Sequence, residues 1–127
     1  ATMAGVIFNL KECALVLDEM GIQRTKMIAS GGAAKGVTWK QIQADILEMP
    51  VYTTKTEEEA CQGAAILAAV GCGMYRDIKE ACSRIVKIND CPVEPVTEHV
   101  KRYREQQALF RELYLKVKDL YPRLKTE

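Results

Sequence analysis

Ile28-Ala29-Ser30-Gly31-Gly32-Ala33-Ala34-Lys35-Gly36 is the stretch on which the reading of this chain turns. It begins as a short apolar strand candidate and opens a helix carrying Trp39, Gln41, Ala44 and Asp45. Two adjacent glycines and two alanines at such a junction leave the backbone bare of bulk. A flat or anionic ligand can then approach closely, near the free N–H groups of the coming helix. In most chains a glycine pair after a strand is no more than a turn. Neither Gly-x-Gly-x-x-Gly nor Gly-x-x-x-x-Gly-Lys-Ser/Thr fits the stretch, so neither familiar phosphate loop is in place. Context is what adds weight: a strand before, an amphipathic helix after, and a later helix rich in small residues that could form the opposite wall.

Upstream of the loop, Val6, Leu10, Cys13, Ala14, Leu17 and Met20 recur at helical spacing with Lys11, Glu12, Asp18 and Glu19 on the other side, and Gly21 ends that helix. Met27-Ile28-Ala29 reads as a short buried strand. Downstream, a helix from about Val37 to Glu48 sets Trp39, Ile42 and Ile46 on one face before Pro50. Val51-Tyr52-Thr53-Thr54 is β-rich and alternating, which places it beside the first strand, parallel, with the intervening helix as crossover.

Thr56-x-x-Glu59 has the form of a capping box. The helix it introduces, Ala60 to Val70, contains Ala60, Gly63, Ala64, Ala65, Ala68 and Ala69 with little charge, and is expected to be buried on most sides. A tightly packed core helix is the plain reading, and a helix that also lines a ligand cleft is the other. Asp77-x-x-Glu80 starts a shorter helix with Ile78, Ala81, Cys82 and Ile85 inward. Pro92 and Pro95 then break regularity, and Asn89 to Pro95 is the nearest thing to a hinge. From Thr97, the spacing of Val100, Tyr103, Gln107, Phe110, Leu113, Val117 and Leu120 is close to a heptad and stops before Pro122. Such a stripe serves either a coiled-coil partner or, more simply, packing on its own domain.

A chain of 127 residues is a comfortable single domain. Eighteen basic against seventeen acidic side chains leave no basic field for nucleic acid and no polybasic membrane stripe. Five cysteines, Cys13, Cys61, Cys72, Cys82 and Cys91, are odd in number and lack Cys-x-x-Cys spacing, so they predict buried thiols rather than disulfides or a zinc site. No amino-terminal signal pattern is visible, and the apolar stretch from Gly63 to Tyr75 is shorter than the roughly 20 residues that cross a bilayer. The expectation is a cytoplasmic protein with no membrane partner.

The ordered string Ser30-Gly31-Gly32-Ala33-Ala34-Lys35, Trp39-x-Gln41-x-x-Ala44-Asp45, Pro50-Val51 and Glu59-Ala60-x-x-Gly63-Ala64-Ala65-Ile66-Leu67-Ala68 resembles the C-terminal domain of FGGY carbohydrate kinases. Gly5-Val6 and the first helix are similar to the segment preceding the adenosine motif of that family, and Tyr103 with the Leu113 to Leu120 helix resembles its closing helix. The Ala-Lys after the glycine pair is more like xylulokinases than glycerol kinases, which usually carry asparagine there. Gly36 departs from the family's usual Ser or Asn, which bears on a side-chain contact to nucleotide. Ala4 stands where Glu is usual.

The resemblance implies an α/β fold, part of an actin-like, ribonuclease H-like ATPase domain, helix-rich with a short parallel sheet. Such kinases are several times longer and use two domains. Residues 1–127 are thus expected to be the C-terminal part of the nucleotide-binding domain, without the N-terminal sugar-binding domain. The implied cofactors are ATP and Mg2+, and the implied reaction is transfer of the γ-phosphoryl group to a ketopentose, D-xylulose giving D-xylulose 5-phosphate. Ribulose, gluconate and glycerol are alternative acceptors, and a noncatalytic helical interaction module is the alternative class.

By the same resemblance, Gly31 and Gly32 offer N–H groups and clearance to the nucleotide, while Ala33, Ala34 and Gly36 shape the floor beneath the adenine. Lys35 meets phosphate or is simply solvated. Gln41 and Asp45, four apart on one helix, are expected to hold the adenosine loop by hydrogen bonds. No catalytic residue and no metal ligand is expected here. Glu57-Glu58-Glu59 is explained by the helix dipole and His99 stands alone. The chain is expected to be inactive by itself, to meet sugar only through the missing domain, and to expose apolar surface that favours a homodimer.

Overall fold

The computed structural model describes residues 1–56 and 58–123. Glu57, in the acidic run singled out above, lies outside them, as does the side chain of Ala33.

The expected parallel pair forms. Strand β1 (Met27–Ala29) lies beside β2 (Val51–Thr53), with Met27 opposite Val51, Ile28 opposite Tyr52 and Ala29 opposite Thr53. Between them run a 3₁₀ turn (Gly32–Lys35) and the crossover helix α2 (Val37–Leu47), as a parallel connection requires. A third extended segment completes the layer. Val93 and Val51 exchange both backbone hydrogen bonds, Lys55 N–H donates to Lys87 O and Asn89 N–H to Thr53 O, so residues 87–93 run antiparallel along β2. Asn89 also donates its amide to Thr53 Oγ1 at 2.8 Å. The stretch read as a hinge is therefore pinned to the sheet, because β2's open edge needs backbone partners.

Helix α1 (Thr2–Glu19) ends as expected at Gly21, whose φ of +79° permits a Schellman closure with Ile22 N–H donating to Leu17 O and Gly21 N–H to Asp18 O. The buried face of α1 differs from the expected one. Ile7, Phe8 and Ala14 point inward, whereas Val6, Leu10, Cys13, Leu17 and Met20 are exposed. Ile7 and Phe8 join Ile46, Leu47 and Met49 from the end of α2 in one cluster, with Trp39, Ile42, Tyr103 and Phe110 against it. Helix α5 (Thr97–Val117) closes this cluster from the far side, its Tyr103 edge-on to Phe8 at 6.1 Å and Phe110 tilted against Phe8 at 5.4 Å. Beyond Phe110 the stripe leaves the core, with Leu113 and Leu120 exposed; α5 ends at Val117, before Pro122 as expected, and a 3₁₀ turn (Lys118–Arg123) carries the chain on.

A second, smaller cluster sits under the glycine loop. It is made of Ala29, Ala34, Ala44 and Val51, with Met27 and Val93 beside it, and only small side chains let the loop, α2 and the sheet come this close. Ile28, on the other face of β1, is exposed.

Helices α3 (Glu59–Gly71) and α4 (Ile78–Ile85) pack on each other. The α4 start forms as predicted, Asp77 Oδ1 accepting from Glu80 N–H at 2.8 Å and Glu80 accepting from Arg76 N–H. Ala81 is buried and Ile78 is not. Helix α3 contradicts its expected burial: Ile66 is its one buried residue, and Ala64, Ala65, Leu67 and Ala68 face outward. Cys13, Cys61, Cys72 and Cys91 are likewise exposed and Cys82 half-buried, all as free thiols rather than the buried ones expected. Cys61 lies within the open helix α3 and Cys72 is its C-cap. No described helix is long and apolar enough to cross a membrane.

Candidate functional site

The glycine loop leaves β1 at its carboxyl end. Gly31 adopts φ +78°, a left-handed backbone that side chains disfavour, and its carbonyl accepts from Ala34 N–H at 3.0 Å to start the 3₁₀ turn. A Cβ at Gly31 or Gly32 would meet nothing within 4 Å, so this face of the loop is open space, as the bare backbone suggested. Ala34 is buried in the small cluster and anchors the loop. Gly36 is the N-cap of α2 with extended backbone.

A cleft of about 230 Å³ lies between this loop and the residues that follow β2. Ala29, Gly31, Ala34 and Lys35 line one side, and Thr53, Thr54, Lys55 and Thr56 the other, with Lys40, Glu59 and Asn89 completing it. It sits outside the carboxyl ends of two parallel strands, where open α/β sheets place their ligands. Among the described residues, three lysines, three threonine hydroxyls and one carboxylate give it a polar, net cationic lining. Of the residues expected at the site, Gly31 and Ala34 border the cleft, while Gly32 and Gly36 lie on the loop outside its lining. Residues 53–56 were within reach of the sequence, since they directly follow a strand parallel to β1. Asn89 was not, because it arrives only through the antiparallel return.

Glu59 is placed unlike its expectation. The capping box of Thr56 and Glu59 does not form, and α3 begins after its N-cap Glu58 without a side-chain cap. Instead Glu59 Oε1 accepts from Thr54 Oγ1 at 2.9 Å and from Gly31 N–H at 3.4 Å, tying α3 to β2 and to the loop. Its own backbone N–H, the Thr54 hydroxyl, the Gly31 N–H and the charge of Lys35 hold the carboxyl below the ordinary range, against a smaller effect of burial.

Gln41 and Asp45 have the structural role assigned to them, at a different place. Asp45, 2% exposed, accepts from Val96 N–H at 2.8 Å and Gln41 Nε2 at 2.8 Å, and its Oδ2 is 2.9 Å from His99 Nδ1. Gln41 also donates to Glu94 O at 3.1 Å. Both residues therefore hold the start of α5, not the glycine loop, because their face of α2 is turned to residues 94–99. His99 is consequently not alone; a buried carboxylate 54 positions away is its partner, which no local pattern announces.

Among the described residues no group of three or more His, Cys, Asp or Glu could hold a metal ion. The cleft is smaller than the roughly 300 Å³ at which pockets for whole small molecules begin, so its size and lining suit an anionic group rather than a whole ligand. Magnesium would sit there through oxygens of such a ligand, since it keeps few protein ligands.

The architecture is thus that of an α/β unit with a cationic cleft beside a glycine loop. Residues 1–72 match the FGGY family of carbohydrate kinases, C-terminal domain, and the chain belongs to that family. It is 32% identical over 126 residues to the xylulose kinase of Bacillus subtilis (strain 168), a match covering 99% of this chain and 25% of that protein. An autoinducer-2 kinase of Yersinia pestis (strain Pestoides F) is 31% identical over 101 residues, covering 80% of this chain and 19% of that protein. The crystal structure of ligand-bound xylulose kinase from Lactobacillus acidophilus superposes with a TM-score of 0.85 at 24% identity, over 98% of this chain and 25% of that one. The fold is accordingly part of the actin-like ATPase architecture of these sugar kinases, and the chain spans about a quarter of the length of the relatives it matches.

Proposed function

We propose that residues 1–127 are the C-terminal part of the nucleotide-binding domain of a cytoplasmic sugar kinase that transfers the γ-phosphoryl group of ATP to a ketopentose, D-xylulose giving D-xylulose 5-phosphate. The observation that carries this reading is the open, left-handed loop at Gly31 bordering a cleft that Lys35, Lys40 and Lys55 line at the carboxyl ends of β1 and β2. Xylulose kinases among the relatives favour the ketopentose; the autoinducer-2 kinase likeness keeps other polyols as rival acceptors.

Phosphoryl transfer asks a protein chiefly to position phosphates and neutralise charge. Magnesium, when bound, bridges the phosphates and offsets the charge that develops on them. In this chain Gly31 and Gly32 supply backbone N–H groups and clearance, Ala33, Ala34 and Gly36 shape the surface beneath the base, and Lys35, Lys40 and Lys55 attract the polyphosphate. The carboxylate that takes the sugar's proton and the sugar contacts are assigned to other parts of the enzyme.

The test is a magnesium-ADP titration watched by backbone amide NMR. Saturable shifts at Gly31, Gly32 and Gly36 are expected. A folded sample without shifts there removes the loop from the nucleotide site. The same sample, given ATP and D-xylulose, is expected to make no sugar phosphate; steady turnover overturns the division of labour.

A further inference from the structure

Among the described residues the one carboxylate lining the cleft is Glu59, and it occupies a donor that an incoming anion needs. We propose that Glu59 is an internal counter-anion of the glycine loop, holding the Gly31 N–H until a nucleoside di- or triphosphate displaces it with a phosphate oxygen. The inference rests on the nucleotide reading of the loop and adds a residue that tunes its affinity.

Three observations point this way. The Glu59 carboxylate reaches across from α3, which has no side-chain cap, to the Thr54 hydroxyl and the loop. Its two bonds are unequal: 2.9 Å to Thr54 Oγ1 and 3.4 Å to Gly31 N–H. The longer bond can be given up while the shorter one keeps the side chain at the cleft wall. Lys35, Lys40 and Lys55 share the cleft, and Lys55 is only loosely tethered to Asp90 at 3.6 Å with both side chains exposed. A resident anion among lysines is what a departing or arriving phosphate exchanges with. The depressed carboxyl keeps this anion charged across the neutral range.

Glu59→Gln tests the charge alone, because the amide oxygen can still accept from Thr54 and Gly31. Wild type and E59Q are titrated with inorganic phosphate, magnesium-ADP and adenosine, following the Gly31 amide. One unit charge at contact distance in water changes an affinity by about fivefold. Phosphate and magnesium-ADP are therefore expected to bind E59Q about fivefold more tightly, and adenosine to bind both proteins alike. Glu59→Ala, which removes charge and acceptor together, gives the same rise if charge is what competes. Equal or weaker binding of magnesium-ADP by both variants, with the wild type saturating at Gly31, overturns the role of Glu59 and leaves the loop reading standing. A tightening that adenosine shares overturns charge competition in favour of a change in loop shape. If no protein saturates at Gly31, both readings fall.

Discussion

Gly31 and Gly32 are neighbours with different physical duties. Gly31 is required by its backbone: with φ +78°, any Cβ is strained although nothing stands within 4 Å of it. Gly32 has no such φ and the same open space, so its bareness serves only what approaches from outside. Gly31→Ala is therefore expected to lower unfolding free energy by about 1 kcal/mol, and Gly32→Ala to change it by less than about 0.5 kcal/mol. Urea denaturation measures both. Magnesium-ADP binding should weaken in both variants, and a Gly32→Ala protein that binds as well as wild type would show that no ligand approaches this face. The glycine pair was visible in the sequence as one feature; the division of its roles depends on φ, which a sequence pattern does not specify.

Between elements, Glu48 is the junction that sequence reading passed over as the end of a helix. It caps α2 in the left-handed region, at φ 59° and ψ 37°, where glycine is usual. Lys11 of α1 reaches its Oε1 at 2.6 Å, and Arg104 of α5 grips both carboxylate oxygens. One carboxylate thus links three helices. Arg104 first, then Lys11, against partial burial, hold its carboxyl at about 2, below its ordinary 4.5. The folded pKa is depressed, so the stabilisation is fully present above about pH 4.5 and is lost as pH falls towards 2. Unfolding free energy measured by urea between pH 6 and 2.5 is expected to fall in this window, and more shallowly in Glu48→Gln; parallel curves would mean the junction contributes nothing. Asp45 does the corresponding work at the start of α5, where Val96, Gln41 and His99 converge on a buried carboxylate. Helix periodicity foretold α1, α2 and α5 within a residue or two at most ends. Apart from the local Gln41–Asp45 bond, it could not foretell these contacts, whose partners lie 37 to 56 positions apart.

For the whole molecule, the telling feature is the apolar surface left facing outward. Val6, Leu10, Leu17 and Met20 on α1 and Leu67, with Ala64 and Ala68, on α3 form faces that no described residue covers fully. Surfaces of this kind seek partners. The 127-residue chain is therefore expected to self-associate, its average mass in sedimentation equilibrium rising with protein concentration. Leu17→Lys together with Leu67→Lys should reduce that rise without loss of fold, since neither side chain is in the core. A wild type that stays monomeric at all concentrations would show that these faces are tolerated as they are.

The parallel strand pair, its crossover helix and the glycine loop were all determined by the sequence, because hydrophobic period, strand propensity and turn chemistry act over a few residues. The order of those motifs was also enough to show the family resemblance. Tertiary structure alone decided which side of α1 is buried, since Ile7 and Phe8 are chosen by the shape of the cluster around Ile46 and Phe110 rather than by the count of apolar positions. It decided too that α3 stands open and that Glu59 reaches the loop and Thr54 instead of pairing with Thr56. Asn89 and His99 likewise gain their roles only when distant segments meet. Burial and pairing are properties of what packs opposite, and what packs opposite is not written in the neighbouring residues.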